Sequence, residues 1–175
     1  MYLNKVNLFL VISICLIFFF LTYNDVKSQE PKIISGIAKV VDGDTIKIGK
    51  NKIRLLGIDA PEKKQQCQKP WLSFFFLTFD KNYKCGEIST NKLKIKINNK
   101  HVMCKSNNKD RYNRFIAECF KDKININKWM ISNGYAVAYR KYSKKFISQE
   151  NLAKKEKLGI WVGTFEMPWE WRKKN

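Results

Sequence analysis

Beyond residue 30 apolar and polar positions alternate in short runs, and the runs predict strands. Over residues 33–48, Ile34, Ile37, Val40 and Val41 lead into Asp42-Gly43-Asp44, after which Thr45-Ile46-Lys47-Ile48 alternates. This reads as two strands around a turn. Gly49-Lys50-Asn51-Lys52 is a second turn and 53–58 a third strand. Asp59-Ala60-Pro61-Glu62 ends that strand, because the proline forces Ala60 out of helical geometry. Both acidic clusters therefore fall at strand ends.

Ile88, Leu93 and Ile97 predict a helix over 87–97 stopped by Asn98-Asn99, although Lys94-Ile95-Lys96-Ile97 also alternates as a strand would. A strand at 101–105, a polar loop at 106–113 and a strand at 114–120 follow. Residues 127–133 read as a short helix closed by Gly134, 135–139 as a strand, and 148–158 as a basic helix that Gly159 terminates. Five strands in this order with helices appended predict an α+β fold on a small closed barrel. The segment 70–80, Pro-Trp-Leu-Ser-Phe-Phe-Phe-Leu-Thr-Phe-Asp, is largely apolar and too short to cross a bilayer. A buried strand or turn filling the core is preferred there over an exposed membrane or partner patch.

At the N-terminus Lys5 precedes an apolar run, 8–21, broken only by Ser13, and a polar stretch, 22–28, comes next. That is the layout of a secretory signal peptide, and Val26 and Ser28 are small enough for a cut before Gln29. An uncleaved membrane anchor is the competing reading. Cys15 is not read as a lipidated cysteine, since bulky Ile14 precedes it and apolar residues follow. Length leaves room for one domain, 29–175, behind this leader.

The chain of 175 residues carries a net charge of +19, and removing the leader with Lys5, Asp25 and Lys27 lowers it only to +18. A strongly basic surface favours polyanions, but Lys, Asn and Ile are all abundant and much of the charge is explained as solvated surface. Arginine usage says more. Only five of the 34 basic residues are Arg, at 54, 111, 114, 140 and 172, and a chain that defaults to Lys keeps Arg where a planar, bidentate donor is wanted.

Outside the leader four cysteines remain, an even number that predicts two disulfides in an exported protein. Cys104 and Cys119 flank two strands joined by a short connection and are natural partners. Cys67 with Cys85 would then close the intervening segment. The absence of any C-x-x-C pair, with His101 as the single histidine, argues against zinc.

Phosphodiester cleavage needs neutralised phosphoryl oxygens, an activated water and a stabilised transition state. Asp44 and Asp59 end neighbouring strands, so their oxygens could converge on one hard cation, calcium or magnesium. Asp42-Gly43-Asp44 alone is an ordinary hairpin turn. Arg54 lies within the apolar run Ile53, Leu55, Leu56, Ile58 and must have a partner or face a cleft. Structural salt bridge and phosphate clamp are both open for it; Glu62 and Arg114 favour the clamp.

Four motifs in order carry a resemblance: Val-Asp-Gly-Asp-Thr at 41–45, Ile-Arg-Leu-Leu-Gly-Ile-Asp-Ala-Pro-Glu at 53–62, Asp-Arg-Tyr-Asn-Arg at 110–114 and Ala-Lys-Lys-Glu-Lys-Leu-Gly-Ile-Trp at 153–161. Together, over 33–163, the chain resembles the staphylococcal (micrococcal) nuclease family. The resemblance implies a five-stranded OB-type barrel with about three helices, and calcium-dependent hydrolysis of DNA and RNA leaving 3′-phosphate ends. By position it makes Asp44 and Asp59 the carboxylate ligands of calcium, with the Ala60 carbonyl beside them where the staphylococcal enzyme has threonine. It has Glu62 act on the attacking water and Arg54 and Arg114 grip the phosphate. Asp110 and Tyr112 would belong to the nucleotide-binding loop and Tyr139 would pack on substrate, though for either tyrosine alone a core or surface role fits as well. Asn113 replaces a glycine, and Asn tolerates the left-handed backbone that would aim Arg114.

The expected protein is a monomeric, secreted or periplasmic nuclease with no protein partner, with membrane association possible through 1–28 or 70–80. The alternative is a catalytically weak binding module at the cell envelope.

Overall fold

The computed structural model describes residues 30–175 and, before them, Ser13 alone. The leader expected over 1–28, with Cys15, lies outside the described residues.

Strand β1 (Lys32–Val40) pairs antiparallel with β2 (Thr45–Ile48) on one side and with β7 (His101–Lys109) on the other. β2 continues into β3 (Asn51–Leu55), and β7 into β8 (Phe115–Lys121). A parallel pairing of β3 with β8 then closes a five-stranded barrel of the OB type. Period-two alternation sends Ile34, Ala38, Ile46, Ile48, Ile53, Leu55, Val102 and Ala117 inward, where they form one apolar core.

The parallel seam is stitched by one buried side chain. Asn127 donates Nδ2–H to the carbonyls of Leu56 (2.9 Å) and Ala117 (3.1 Å) and accepts the Cys119 N–H (3.0 Å). It bonds groups along the closing seam, where the Ala117 carbonyl also accepts the Leu56 N–H at 2.8 Å.

The expected third strand is two. Gly57 takes φ of 74°, which a side chain would resist, and the chain turns there into the short β4 (Ile58–Asp59). β4 pairs with β9 (Val137–Ala138), all that forms of the strand expected at 135–139. The polar loop expected at 106–113 is likewise shortened, since β7 runs on to Lys109.

Helix α1 (Cys85–Ile97) takes in the ambiguous 94–97 stretch, with Leu93 and Ile97 buried in helical spacing; Asn98 caps it with φ of 50°. Helix α2 (Ile126–Ser132) is capped by the Asn125 side chain on the Lys128 N–H. Helix α3 (Ile147–Lys155) ends before Gly159, which instead opens a 3-10 turn (Gly159–Val162). The backbones of Gly134 and Gly159 press together there: a Cβ on Gly134 would come within 2.0 Å of the Leu158 carbonyl oxygen. A fourth helix among the described residues, α4 (Pro168–Lys174), adds to the expected three.

The segment 70–80 departs most from expectation. It is an exposed hairpin, β5 (Cys67–Phe74) and β6 (Leu77–Tyr83), paired with itself as a separate two-stranded sheet. It fills no core, because the barrel is already closed and packed without it.

Both expected disulfides are formed, Cys67–Cys85 at the base of that hairpin and Cys104–Cys119 across register partners of β7 and β8. They point to an oxidising, extracellular or periplasmic environment. Among the described residues no helix is long and apolar enough to cross a membrane.

Candidate active site

The β1–β2 turn, the β3–β4 junction, the β7–β8 loop and the C-terminal helix meet around a cleft of about 930 Å³. The turn is tight because Gly43 lies against α1 and the residue after β4, where a Cβ would fall 2.4 Å from Ser89 Oγ and 2.6 Å from Ala60 Cβ. That approach brings Asp44 beside Ala60, whose N–H donates to Asp44 Oδ2 at 3.1 Å.

Arg54 projects from β3 between the two acids. Its Nη1 donates to Asp44 Oδ1 at 2.8 Å and its Nη2 to Asp59 Oδ1 at 2.6 Å. Of the two roles left open for it, the salt bridge is formed. Thr45 Oγ1 also donates to Asp44 Oδ1, at 3.0 Å. Burial and the two neighbouring acids decide the electrostatics. Burial opposes the Arg54 charge, but Asp44 and Asp59 outweigh it and hold the guanidinium protonated above its ordinary range. Asp59 is completely buried; burial raises its carboxyl above the usual range although hydrogen bonds from Arg172 and the charge of Arg54 pull the other way. Asp42, whose carboxylate accepts the Asp44 N–H, is pushed up to about 6 by burial and then by the Asp44 charge.

The residue that sequence reasoning missed is Arg172. Projecting from α4, it donates Nη1–H and Nη2–H to Asp59 Oδ1 (3.0 Å) and Oδ2 (2.8 Å), and Nη1 also reaches Glu62 Oε1 at 2.7 Å. Asp59 is thus covered by two guanidiniums and does not line the cleft, whereas Asp44, Ala60 and Glu62 do. The signal was present: Arg172 is one of five arginines in a lysine-rich chain. Glu62 is held from behind, where Gln65 Oε1 accepts its N–H (3.1 Å) and Gln65 Nε2 donates to the Glu166 carbonyl (2.6 Å).

On the opposite rim Asp110 organises the loop. Its Oδ1 accepts the backbone N–H of Tyr112 (2.9 Å) and of Arg114 (3.0 Å), and its Oδ2 accepts Arg114 Nε–H at 2.7 Å. Burial opposes the charge, but these bonds, the Arg114 side chain first, hold the carboxyl below its usual range. Asn113 takes φ of 61°, the left-handed turn expected of it. The exposed Tyr112 ring lies under the guanidinium of Arg111 (4.8 Å) and of Arg114 (5.4 Å). Tyr139 is tied by its N–H to the Gly57 carbonyl (3.0 Å) and stacks on Trp169 at 5.4 Å between centroids. All the expected catalytic, metal-ligating and substrate-binding residues except the sealed Asp59 therefore line one cleft.

The donors around Asp44 are hard oxygens, which suit calcium or magnesium and not zinc. Among the described residues no group of three or more His, Cys, Asp or Glu side chains is arranged to hold a metal; two carboxylates and a main-chain carbonyl are what the site offers. The donor chemistry fits a calcium ion on condition that Arg172 leaves Asp59.

The cleft thus combines a hard-oxygen acid pair with arginines on both rims of an OB barrel. The family model described as staphylococcal nuclease homologue matches residues 52–163, and the chain belongs to that family. The match takes in Arg54, Asp59, Glu62 and Arg114, beginning after Asp44 and ending before Arg172. Succinoglycan biosynthesis protein ExoI of Rhizobium meliloti is 33% identical over 141 residues, covering 79% of this chain and 69% of that protein. A protein described as an uncharacterized endonuclease in Escherichia coli is 31% identical over 144 residues, covering 78% of this chain and 82% of that one. The probable staphylococcal-like nuclease CAN3 of Oryza sativa subsp. japonica is 30% identical over 133 residues, 74% of this chain but only 30% of that protein. Family and relatives support a nuclease hydrolase with a nucleic-acid substrate.

Proposed function

We propose that the chain is an exported, monomeric, calcium-dependent phosphodiesterase that cuts DNA and RNA to leave 3′-phosphate ends. The observation that carries this reading is the cleft itself: Glu62, Arg54 and Arg114 line one space with Asp44, and Asp59 lies behind Arg54. Residues 1–28 serve as the export signal or membrane anchor.

Asp44, Asp59 and the Ala60 carbonyl would hold the calcium ion, which when bound supplies positive charge to the phosphoryl oxygens. Arg172 takes the oxygens of Asp59 and so must withdraw for loading. Glu62, once free of Arg172, orients and deprotonates the water. Arg54 and Arg114 bind the phosphate from the two rims and stabilise the charge that develops in the transition state. Asp110 keeps the Arg114 loop in its turn, while Tyr112 and Tyr139 offer ring faces to the flanking nucleotides.

Incubating plasmid DNA and single-stranded RNA with the protein, with calcium or with a chelator, tests this. Calcium-dependent cutting, giving ends that a polymerase extends only after phosphatase treatment, is expected. A well-folded sample that cuts equally in chelator, or not at all, overturns the reading. One observation favours the second reading, a binding module of weak activity: Arg172 already neutralises Asp59 and Glu62. That reading expects nucleic acid to be retained without being cut.

A further inference from the structure

The β5–β6 hairpin has no part in the cleft, yet it exposes more apolar surface than any other segment described. Trp71, Leu72, Phe74, Leu77 and Phe79 are all more than half exposed, and Phe75 and Phe76 at the turn reach 88% and 93%. Cross-strand register places Phe74 opposite Leu77 and Leu72 opposite Phe79 on one face; Ser73 lies opposite Thr78 on the other, their hydroxyls 3.4 Å apart. An isolated two-stranded hairpin is marginal in water, and a patch of this kind marks a contact surface.

The base, in contrast, is fixed. Cys67 is bonded to Cys85 on α1, and Gln68 exchanges backbone hydrogen bonds with Thr164 at 2.8 and 3.1 Å. Above this anchor the charge is sorted by height. Lys69 and Lys81 face each other across the strands, with Lys63, Lys64 and Lys84 on the flanking chain, while residues 70–80 hold no base and only one acid, Asp80. Lys81 Nζ lies 6.0 Å from the Trp71 ring, between base and tip.

We propose that this hairpin is a membrane finger, seating the aromatic tip 74–77 in the interfacial layer of a bilayer rich in anionic lipid. An apolar tip, a tryptophan above it and a lysine collar above that reproduce the order of acyl chain, interface and headgroup. Both outer strand edges carry unpaired backbone groups, so the finger seats at the interface and does not span. A second copy fits less well, since two-fold packing of the apolar faces would bring four collar lysines together. A nucleic-acid strand fits less well too, because the tip has aromatic faces but no cation for the phosphates.

The test uses the full chain and vesicles whose acyl chains carry bromine, which quenches tryptophan at short range. Trp71→Phe supplies the background, so any binding by the leader cancels. On vesicles of equal parts phosphatidylcholine and phosphatidylglycerol, Trp71-dependent quenching is expected. Phe75→Ser with Phe76→Ser should weaken the partition it reports at least about tenfold. Lys69→Gln with Lys81→Gln, which leaves the tip intact, should weaken it roughly 25-fold, about fivefold per lysine. Both variants should keep the circular dichroism of the parent, since neither touches the core. The proposal is overturned by absent Trp71 quenching, by equal quenching on pure phosphatidylcholine, or by quenching that both double variants retain. Lipid-free dimerisation that the tip variant abolishes would assign the surface to a second copy and overturn it as well.

Discussion

The two rims of the cleft each hold an arginine by a carboxylate, but they do so differently. On the Asp44 rim Arg54 joins two buried acids and Arg172 covers one of them and reaches Glu62, so five charges share one partly dry network. On the Asp110 rim a single acid, near the surface, holds Arg114 and the turn that carries it. The first arrangement makes the binding machinery part of what holds the fold together. The second lets the loop change with small cost to the barrel.

The largest effect should come from Arg54→Gly. It leaves Asp44 and Asp59 facing each other without their shared counter-charge, and urea unfolding should show a loss of about 3–5 kcal/mol, along with most of the phosphodiesterase activity. Arg172→Gln should cost less, about 1.5–3 kcal/mol for charged hydrogen bonds to a buried acid, because Arg54 still neutralises Asp59. Arg114→Gly should change stability by less than about 1 kcal/mol while lowering kcat by about 10²–10³, the scale of one lost transition-state donor. Equal stability losses for Arg54→Gly and Arg114→Gly would remove the distinction between the rims.

The smallest effect separates the rims by sign. Asp110 has a lowered folded pKa, so its contribution is fully present above the ordinary value of 3.8 and is lost as pH falls through the lower folded value. Asp42 has a raised one, so its contribution is fully present below 3.8 and is lost as pH rises through about 6. Relative to the parent, Asp110→Asn should therefore lose its disadvantage in acid, and Asp42→Asn should gain an advantage as pH rises from 4 to 7. Parallel pH profiles for the two variants, measured by urea unfolding in calcium-free buffer, would show that the rims do not differ in this way.

Most of the barrel was legible because its strands are half-buried and write their period into the sequence, as Thr45-Ile46-Lys47-Ile48 does. The break at Gly57 was not, since a glycine inside an apolar run leaves the periodicity untouched while turning the backbone. Helix α1 was ambiguous locally and was settled by what Leu93 and Ile97 bury. The hairpin was misplaced because apolar composition predicts burial only while the core has room. In the site, motif positions located both rims, but Arg172 acts from beyond the motifs, and only its residue type in a lysine-rich chain pointed to it. Asp59 was expected to offer its oxygens to the cleft; what could not be read was that a tail residue would reach them first.

The Cys104–Cys119 bond crosses β7 and β8, and the chain between its cysteines, 15 residues apart, includes the whole Asp110–Arg114 turn. Closing a loop of that length removes about 3 kcal/mol of unfolded-state freedom, and it removes it from the segment that presents Arg114. Until that bond forms, one rim of the cleft lacks the tether that shapes it.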